Sequence, residues 1–175
     1  MTLPSNARLA GAAYLLYIAT GIGSMAAPAQ IRPVLGTVMA FCALTLGATL
    51  YAITRHVDRD LALIAMLCRV LEAGSGNGEI YFAVGSTLFC WLLLKDRMIP
   101  AALAVLGLFS SGGLVVQLLV QRTAGASTNW SSPVTWAIWF PLLIFELTFA
   151  AVLLANRLRL RPPLPNRATA VRHAD

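Results

Sequence analysis

The chain of 175 residues is 58% hydrophobic and only 11% charged, and its mean hydropathy is +0.75. Soluble domains are on average roughly a quarter charged, so this composition excludes an ordinary soluble protein. Several apolar stretches reach the roughly 18 residues that indicate a membrane span. The sequence therefore predicts an all-α fold, a polytopic transmembrane helical bundle.

Six membrane segments are predicted along a single domain of residues 1–160. In chain order they cover residues 9–29, 34–54, 61–76, 79–95, 99–120 and 133–156. The Pro- and Arg-rich residues 161–175 are predicted to form a disordered basic tail. Ala27, Pro28 and Ala29 also fit a signal-peptide cleavage site, so removal of the first segment is an alternative.

The third and fourth segments are short. A Gly- and Ser-rich turn interrupts residues 61–94, which leaves roughly 15 residues, or about 22 Å, for each arm. That length is several ångströms below a typical hydrocarbon core. The two arms form either a thin hairpin or a re-entrant hairpin that neighbouring helices bury.

The distribution of charge predicts the orientation of the chain. The 13 cations exceed the 7 acidic residues by 6, and placing both termini in the cytoplasm puts only Arg32 and Arg122 outside. Cytoplasmic loops are enriched in Lys and Arg, so we expect a multi-pass protein of the inner (plasma) membrane with cytoplasmic termini.

The cations that follow the last segment have two interpretations. Arg157, Arg159 and Arg161 are candidates for binding anionic lipid headgroups. The alternative is that they only set the orientation of the chain in the membrane. No nucleic-acid-binding module accompanies these arginines, so no nucleic-acid partner is expected. The lipid bilayer is the expected partner.

The third segment carries an Arg and a Glu on one helical face. Arg69 and Glu72 are three residues apart, and the other residues of their stripe, among them Ala62, Ala65 and Ala73, are small. Small residues allow helices to approach closely, so this stripe is predicted to face the interior of the bundle.

A carboxylate of the last segment lies at a comparable depth. Glu146 is about ten residues into its segment, or some 15 Å, so we predict a buried cluster of Arg69, Glu72 and Glu146, with Glu79 and Gln117 nearer the outer end. Intramembrane charges are by default candidate sites for a substrate, ion or proton. The alternative is an ion-paired staple that fixes helix register.

Other kinds of site find little support. The only histidines, His56 and His173, lie in a loop and in the tail, which argues against a haem, a histidine metal site or a Ser/His triad inside the membrane. We predict no catalytic residue, metal or cofactor.

Three tryptophans precede or open the last segment. Trp130, Trp136 and Trp139 are predicted to form an interfacial aromatic belt, and the alternative is a platform for a headgroup or ligand. In the second segment, Gly36 with Ala40 and Ala43 with Gly47 suit close packing within the bundle, against a second copy of the chain or against a partner membrane protein.

Several blocks of the sequence resemble a family of small bacterial integral-membrane proteins, domain of unknown function 4386. The blocks are, in chain order, Arg8, Leu9, Ala10 and Gly11 with Tyr14 and Leu15; Leu50 and Tyr51; residues 69–73; Lys95, Ile99 and Pro100; and Phe145, Glu146 and Leu147. The resemblance implies a helical protein of the bacterial inner membrane. Because the activity of this family is unassigned, it implies no catalytic residues.

Three functional hypotheses follow from the sequence. The first is a non-enzymatic bundle that binds or moves a small ligand, ion or proton through the Arg/Glu cluster. The second is a structural or regulatory membrane subunit that acts through helix–helix contacts. The third and least favoured is a membrane enzyme that acts on lipid with Glu72 or Glu146 as acid or base.

Overall fold

The fold is a bundle of six α-helices. The computed structural model describes residues 3–75, 78–125 and 128–158, and this part of the chain contains no β-strand. The helices are α1 (Leu3–Ala26), α2 (Arg32–Thr54), α3 (Arg59–Gly74), α4 (Gly78–Lys95), α5 (Ala101–Thr123) and α6 (Pro133–Leu154). The predicted all-α fold is confirmed, and the predicted tail at residues 161–175 lies outside the described residues.

Local sequence accounts for several helix boundaries. Pro33 lies in the first turn of α2, where a missing backbone N–H breaks no helical bond. Asp58 caps α3 by accepting a hydrogen bond from the backbone N–H of Leu61 at 3.1 Å, and Ser132 caps α6 in the same way. Helix α1 begins at Leu3, before the apolar run that starts at residue 9.

Five of the described helices are long and apolar enough to cross a membrane, so the chain is a multi-pass membrane protein. Helix α3 is the exception. It has 16 residues, or about 24 Å, against roughly 30 Å for a hydrocarbon core. Four charged side chains in that short length, Arg59, Asp60, Arg69 and Glu72, also reduce its apolarity.

Each helix packs against the next along the chain, and α6 returns to α1, so that the six helices form a closed ring. The loops on either side of the α3–α4 hairpin meet at one end of the bundle, which we call the Lys95 end. There Lys95 Nζ lies 3.6 Å from Asp58 Oδ2, and His56 Nε2 lies 3.2 Å from Asp96 Oδ2. The opposite end, which contains residues 128–132, is the Trp130 end.

The short hairpin leaves space at the Trp130 end. Helices α3 and α4 measure about 24 and 27 Å, whereas the other four measure about 33 to 36 Å. Because contacts between the loops hold the hairpin at the Lys95 end, its shortfall lies at the Trp130 end. A cavity lies there, beside the turn of the hairpin.

Candidate functional site

Arg69 is clamped between two neighbouring helices. A Cβ atom on Gly47 of α2 would lie 2.9 Å from Arg69 Cβ, and one on Gly85 of α4 would lie 3.0 Å from Cys68 Cβ. The absence of side chains at these glycines therefore allows α2 and α4 to approach α3 closely. Arg69 is fully buried as a result.

The prediction that the small-residue stripe of α3 faces inward is confirmed. Ala62 and Ala65 have no exposed surface, while Ile64 and Leu67 on the other side of the helix are about half exposed. The guanidinium of Arg69 therefore projects into the bundle instead of toward lipid.

Both terminal nitrogens of Arg69 are hydrogen-bonded. Nη1 donates to Glu72 Oε2 at 2.9 Å, and Nη2 donates to Ser86 Oγ on α4, also at 2.9 Å. The guanidinium carbon lies 4.8 Å from the centre of the Phe82 ring, within the range of a cation–π interaction. The predicted ion pair thus sits in a shell of polar and aromatic partners.

The second oxygen of Glu72 is bonded as well. Tyr17 of α1 donates its hydroxyl to Glu72 Oε1 at 2.6 Å, and only 7% of the Glu72 side chain is exposed. Hydrogen bonds therefore join α1, α3 and α4 around one ion pair. No sequence pattern pointed to Tyr17 and Ser86, although a tyrosine hydroxyl in an apolar segment generally has a polar partner nearby.

Glu146 differs from Glu72 because its Oε1 is buried without a hydrogen-bond partner among the described residues. It is 6% exposed and lies close enough to Arg69 and Glu72 to interact with both electrostatically. In the described part of the chain, however, Arg69 forms its ion pair with Glu72 and not with Glu146. The structure thus brings the three predicted residues together and leaves one carboxyl oxygen unsatisfied.

That carboxyl lies in the wall of a cavity of about 560 Å³ at the Trp130 end. Residues of α1, α2, α3, α4 and α6 line the cavity, together with Trp130. Helical rise places Glu146 about 15 Å beyond Trp136 along α6. The cavity therefore extends from the tryptophans to the charged cluster.

Aromatic rings form much of the wall of the cavity. The Phe82 ring is stacked with Tyr17 at 6.0 Å and with Trp139 at 6.2 Å between centroids. The centroid of the Trp130 ring lies 5.1 Å from that of Trp139 and 5.9 Å from that of Trp136. The three predicted tryptophans are thus brought together. Trp139 Nε1 and Arg69 Nε, like Glu146 Oε1, are buried without a hydrogen-bond partner in the described residues.

The remaining predicted residues occupy other positions. Glu79 lines the cavity and accepts a hydrogen bond from Thr128 at 3.3 Å, near the Trp130 end. Gln117 of α5 does not line the cavity, and its Nε2 lies 3.5 Å from Thr135 Oγ1. Arg157 is exposed, and Arg159 and Arg161 lie outside the described residues.

The ionisable side chains that line the cavity are all acidic. Its wall includes three carboxyl side chains, Glu72, Glu79 and Glu146, and no Lys, Arg or His of the described chain. Arg69 lies behind Glu72 and already neutralises it. The described residues also contain no group of three or more His, Cys, Asp or Glu side chains placed to hold a metal ion.

Part of the chain is similar to a known family of proteins. No curated protein and no solved structure matches it. The family model that matches covers residues 72–156, from Glu72 in α3 through the end of α6 and including Glu79 and Glu146. Over these residues the chain matches the family described as Domain of unknown function (DUF4386), which confirms the resemblance found in the sequence.

Proposed function

We propose that this multi-pass membrane protein binds a small ligand in the cavity at its Trp130 end, with the cluster of Arg69, Glu72 and Glu146 as the polar part of the site. The observation that carries the proposal is Glu146 Oε1, which is buried in the cavity wall and has no hydrogen-bond partner in the described chain. Buried polar atoms nearly always have a partner, so an unsatisfied carboxyl oxygen in a cavity favours an external one.

The size and lining of the cavity support the same proposal. Sites for small molecules measure about 300–1,000 Å³ and are mostly apolar, with a few polar groups that orient the ligand. The cavity of about 560 Å³ combines aromatic walls with a few carboxyls and therefore has these properties.

We further propose that the protein lies in the inner membrane with both termini in the cytoplasm. This orientation places the Lys95 end, with its excess of cations, in the cytoplasm, as Lys and Arg generally are in membrane proteins. The cavity then opens on the outer side of the membrane.

Binding can be tested with three aromatic probes of similar size and different charge: benzylammonium, benzyl alcohol and benzoate. Each is titrated by calorimetry into the protein in lipid nanodiscs, and the same titration is repeated on a Gly21→Leu variant. Gly21 lines the cavity, and an added Cβ would meet only the end of the flexible Met39 side chain at 3.6 Å. The leucine is therefore expected to fill the cavity without disturbing the fold.

The control is Gly23→Leu on the same helix, which adds the same side chain at an exposed site outside the cavity. We expect at least one probe to bind the wild type and Gly23→Leu equally and to lose binding in Gly21→Leu. If all three probes bind Gly21→Leu as they bind the wild type, the cavity is not a ligand site.

A structural or regulatory membrane subunit is the second candidate function. It is favoured by the hydrogen bonds of Arg69, Glu72, Tyr17 and Ser86, which join three helices. On this hypothesis Gly21→Leu leaves activity in cells unchanged, whereas substitutions on the outer helix faces abolish it.

A further inference from the structure

We propose that the ligand of this cavity is an organic cation, with an ammonium group that pairs with Glu146 and an apolar part that lies among the tryptophan rings. The inference rests on the proposed function and specifies the chemical class of the ligand. It is carried by the charges of the cavity wall and by the aromatic rings beside them.

The cluster has one cation for two carboxyl groups, so a further cation would balance its charge. Arg69 is bonded to Glu72 at 2.9 Å and has no ion pair with Glu146 in the described chain. Its one positive charge therefore faces two carboxyls, and the cavity wall adds Glu79 without adding a cation of the described residues. A ligand with a positive charge restores neutrality beside Glu146, whereas an anion would be repelled.

The geometry of Glu146 favours a ligand that donates hydrogen bonds. Its Oε1 is buried without a partner in the described residues, and a carboxylate is an acceptor at both of its oxygens. An ammonium group supplies a positive charge and several N–H donors at one point. Hydrogen bonds between two charged groups are about twice as strong as neutral ones.

The aromatic rings favour an organic cation over an inorganic one. Hard metal ions require several oxygen ligands around one point, and the described residues provide no such group. Ring faces of Trp, Tyr and Phe instead attract alkylammonium groups through cation–π interactions. Tyr17, Phe82, Trp130, Trp136 and Trp139 all line the same cavity as Glu146.

The same three probes in nanodiscs distinguish the charge of the ligand. Benzylammonium, benzyl alcohol and benzoate share one ring and differ in the group beside it, so their binding constants compare the charges directly. Titration of Gly21→Leu measures binding to lipid and to other sites, which is subtracted. We expect benzylammonium to bind at least about tenfold more tightly than benzyl alcohol, and benzoate not to bind.

Two variants test whether the preference for benzylammonium arises from the proposed contacts. Glu146→Gln keeps the size of the side chain and removes its charge, and we expect at least about a tenfold loss of benzylammonium affinity with little change for benzyl alcohol. Asp60→Asn, an exposed carboxyl outside the cavity, is the matched control. Trp136→Leu at the exposed edge of the tryptophans removes apolar surface and no charge, so it is expected to affect benzylammonium and benzyl alcohol alike. Should Glu146→Gln fail to fold, the order of the three probes on the wild type still tests the proposal.

The outcomes separate this inference from the proposed function. If benzyl alcohol or benzoate binds more tightly than benzylammonium, and Gly21→Leu abolishes that binding, the cavity is a ligand site and the organic-cation inference is wrong. If no probe shows binding that Gly21→Leu abolishes, both are wrong. Equal benzylammonium affinities in the wild type and Glu146→Gln would also overturn the inference.

An ammonium group can come from a soluble amine or from the headgroup of a lipid. Repeating the benzylammonium titration in detergent, with and without added phosphatidylethanolamine, distinguishes the two sources. Competition by this lipid in both the wild type and Gly23→Leu identifies a headgroup as the occupant. Unchanged affinity identifies a soluble amine.

Discussion

At the scale of single residues, Arg69 combines complete burial with several polar and aromatic interactions. Its guanidinium has a carboxylate and a hydroxyl as partners and an aromatic ring 4.8 Å away. A buried charge that loses its partner is strongly destabilising, whereas replacing both partners of a pair by apolar residues is often neutral. Comparing the two kinds of variant therefore shows whether stability requires the Arg69–Glu72 ion pair itself or only that no buried charge is left without a partner.

We therefore expect Glu72→Ala to lower the free energy of unfolding by about 3–5 kcal/mol, because it removes the carboxylate that is hydrogen-bonded to the buried Arg69. The double variant Arg69→Met, Glu72→Met removes both charges and is expected to be more stable than Glu72→Ala. Unfolding of the two variants in lipid nanodiscs measures the difference. Asp60→Ala, in the exposed first turn of the same helix, is the control and should differ little from the wild type.

A double variant as unstable as Glu72→Ala would contradict this expectation. It would mean that the ion pair itself holds α1, α3 and α4 together, which is the structural interpretation of the cluster.

The sequence could predict only part of this centre. Arg69 and Glu72 are three residues apart on one helix, so helical periodicity alone indicates that they pair. Tyr17, Phe82 and Ser86 lie on other helices, and no spacing along the chain relates them to Arg69. The depth of Glu146 indicated that it lies near the cluster but not that Arg69 would use both terminal nitrogens elsewhere.

At the scale of elements, α3 is held by close approach on two sides. Gly47 of α2 and Gly85 of α4 lie against its backbone and side-chain stems. The sequence showed Gly47 as one of a pair of small residues that suit close packing, and the structure places that packing inside the bundle, against Arg69. Gly36 of the other pair is exposed, and no atom lies within 4 Å of a Cβ added there.

A pair of glycine substitutions tests this contact. Gly47→Ala places a Cβ 2.9 Å from Arg69 Cβ and is expected to destabilise the protein by about 1–3 kcal/mol through overpacking. Gly112→Ala in α5 is the matched control, because a Cβ there has no neighbour within 4 Å. Both changes give the same gain in helix propensity, so the difference between their unfolding midpoints measures the clash.

Equal stability of the two alanine variants would contradict the close approach of α2 to α3. In that case the glycines would have no packing role, and Arg69 would have room to reach other partners.

At the scale of the whole molecule, the sequence predicted six helices because apolar runs and charged loops alternate clearly along the chain. It left open whether the short hairpin spans, since length alone does not say where a short helix sits relative to its neighbours. In the structure the short hairpin leaves a cavity beside its turn, at the Trp130 end of the bundle.

The proposed orientation can be tested by labelling single cysteines in the full chain. Gln30→Cys lies at the Trp130 end and Arg55→Cys at the Lys95 end, and both positions are exposed. In intact cells a membrane-impermeant maleimide is expected to label Gln30→Cys and not Arg55→Cys. After permeabilisation it is expected to label Arg55→Cys as well. The wild type is the background control because Cys42, Cys68 and Cys90 are buried. Labelling of Arg55→Cys in intact cells would indicate the opposite orientation.

The partners of Arg69 also determine the order in which the protein can be assembled during synthesis. When α3 leaves the ribosome, Tyr17 has already been made but Ser86 and Phe82 have not. Inserting an Arg at the centre of a helix costs about 2.5–3.5 kcal/mol, and α3 has few apolar residues to offset it. We therefore expect the insertion of α3 to depend on the arrival of α4, with the two helices entering the membrane as one unit.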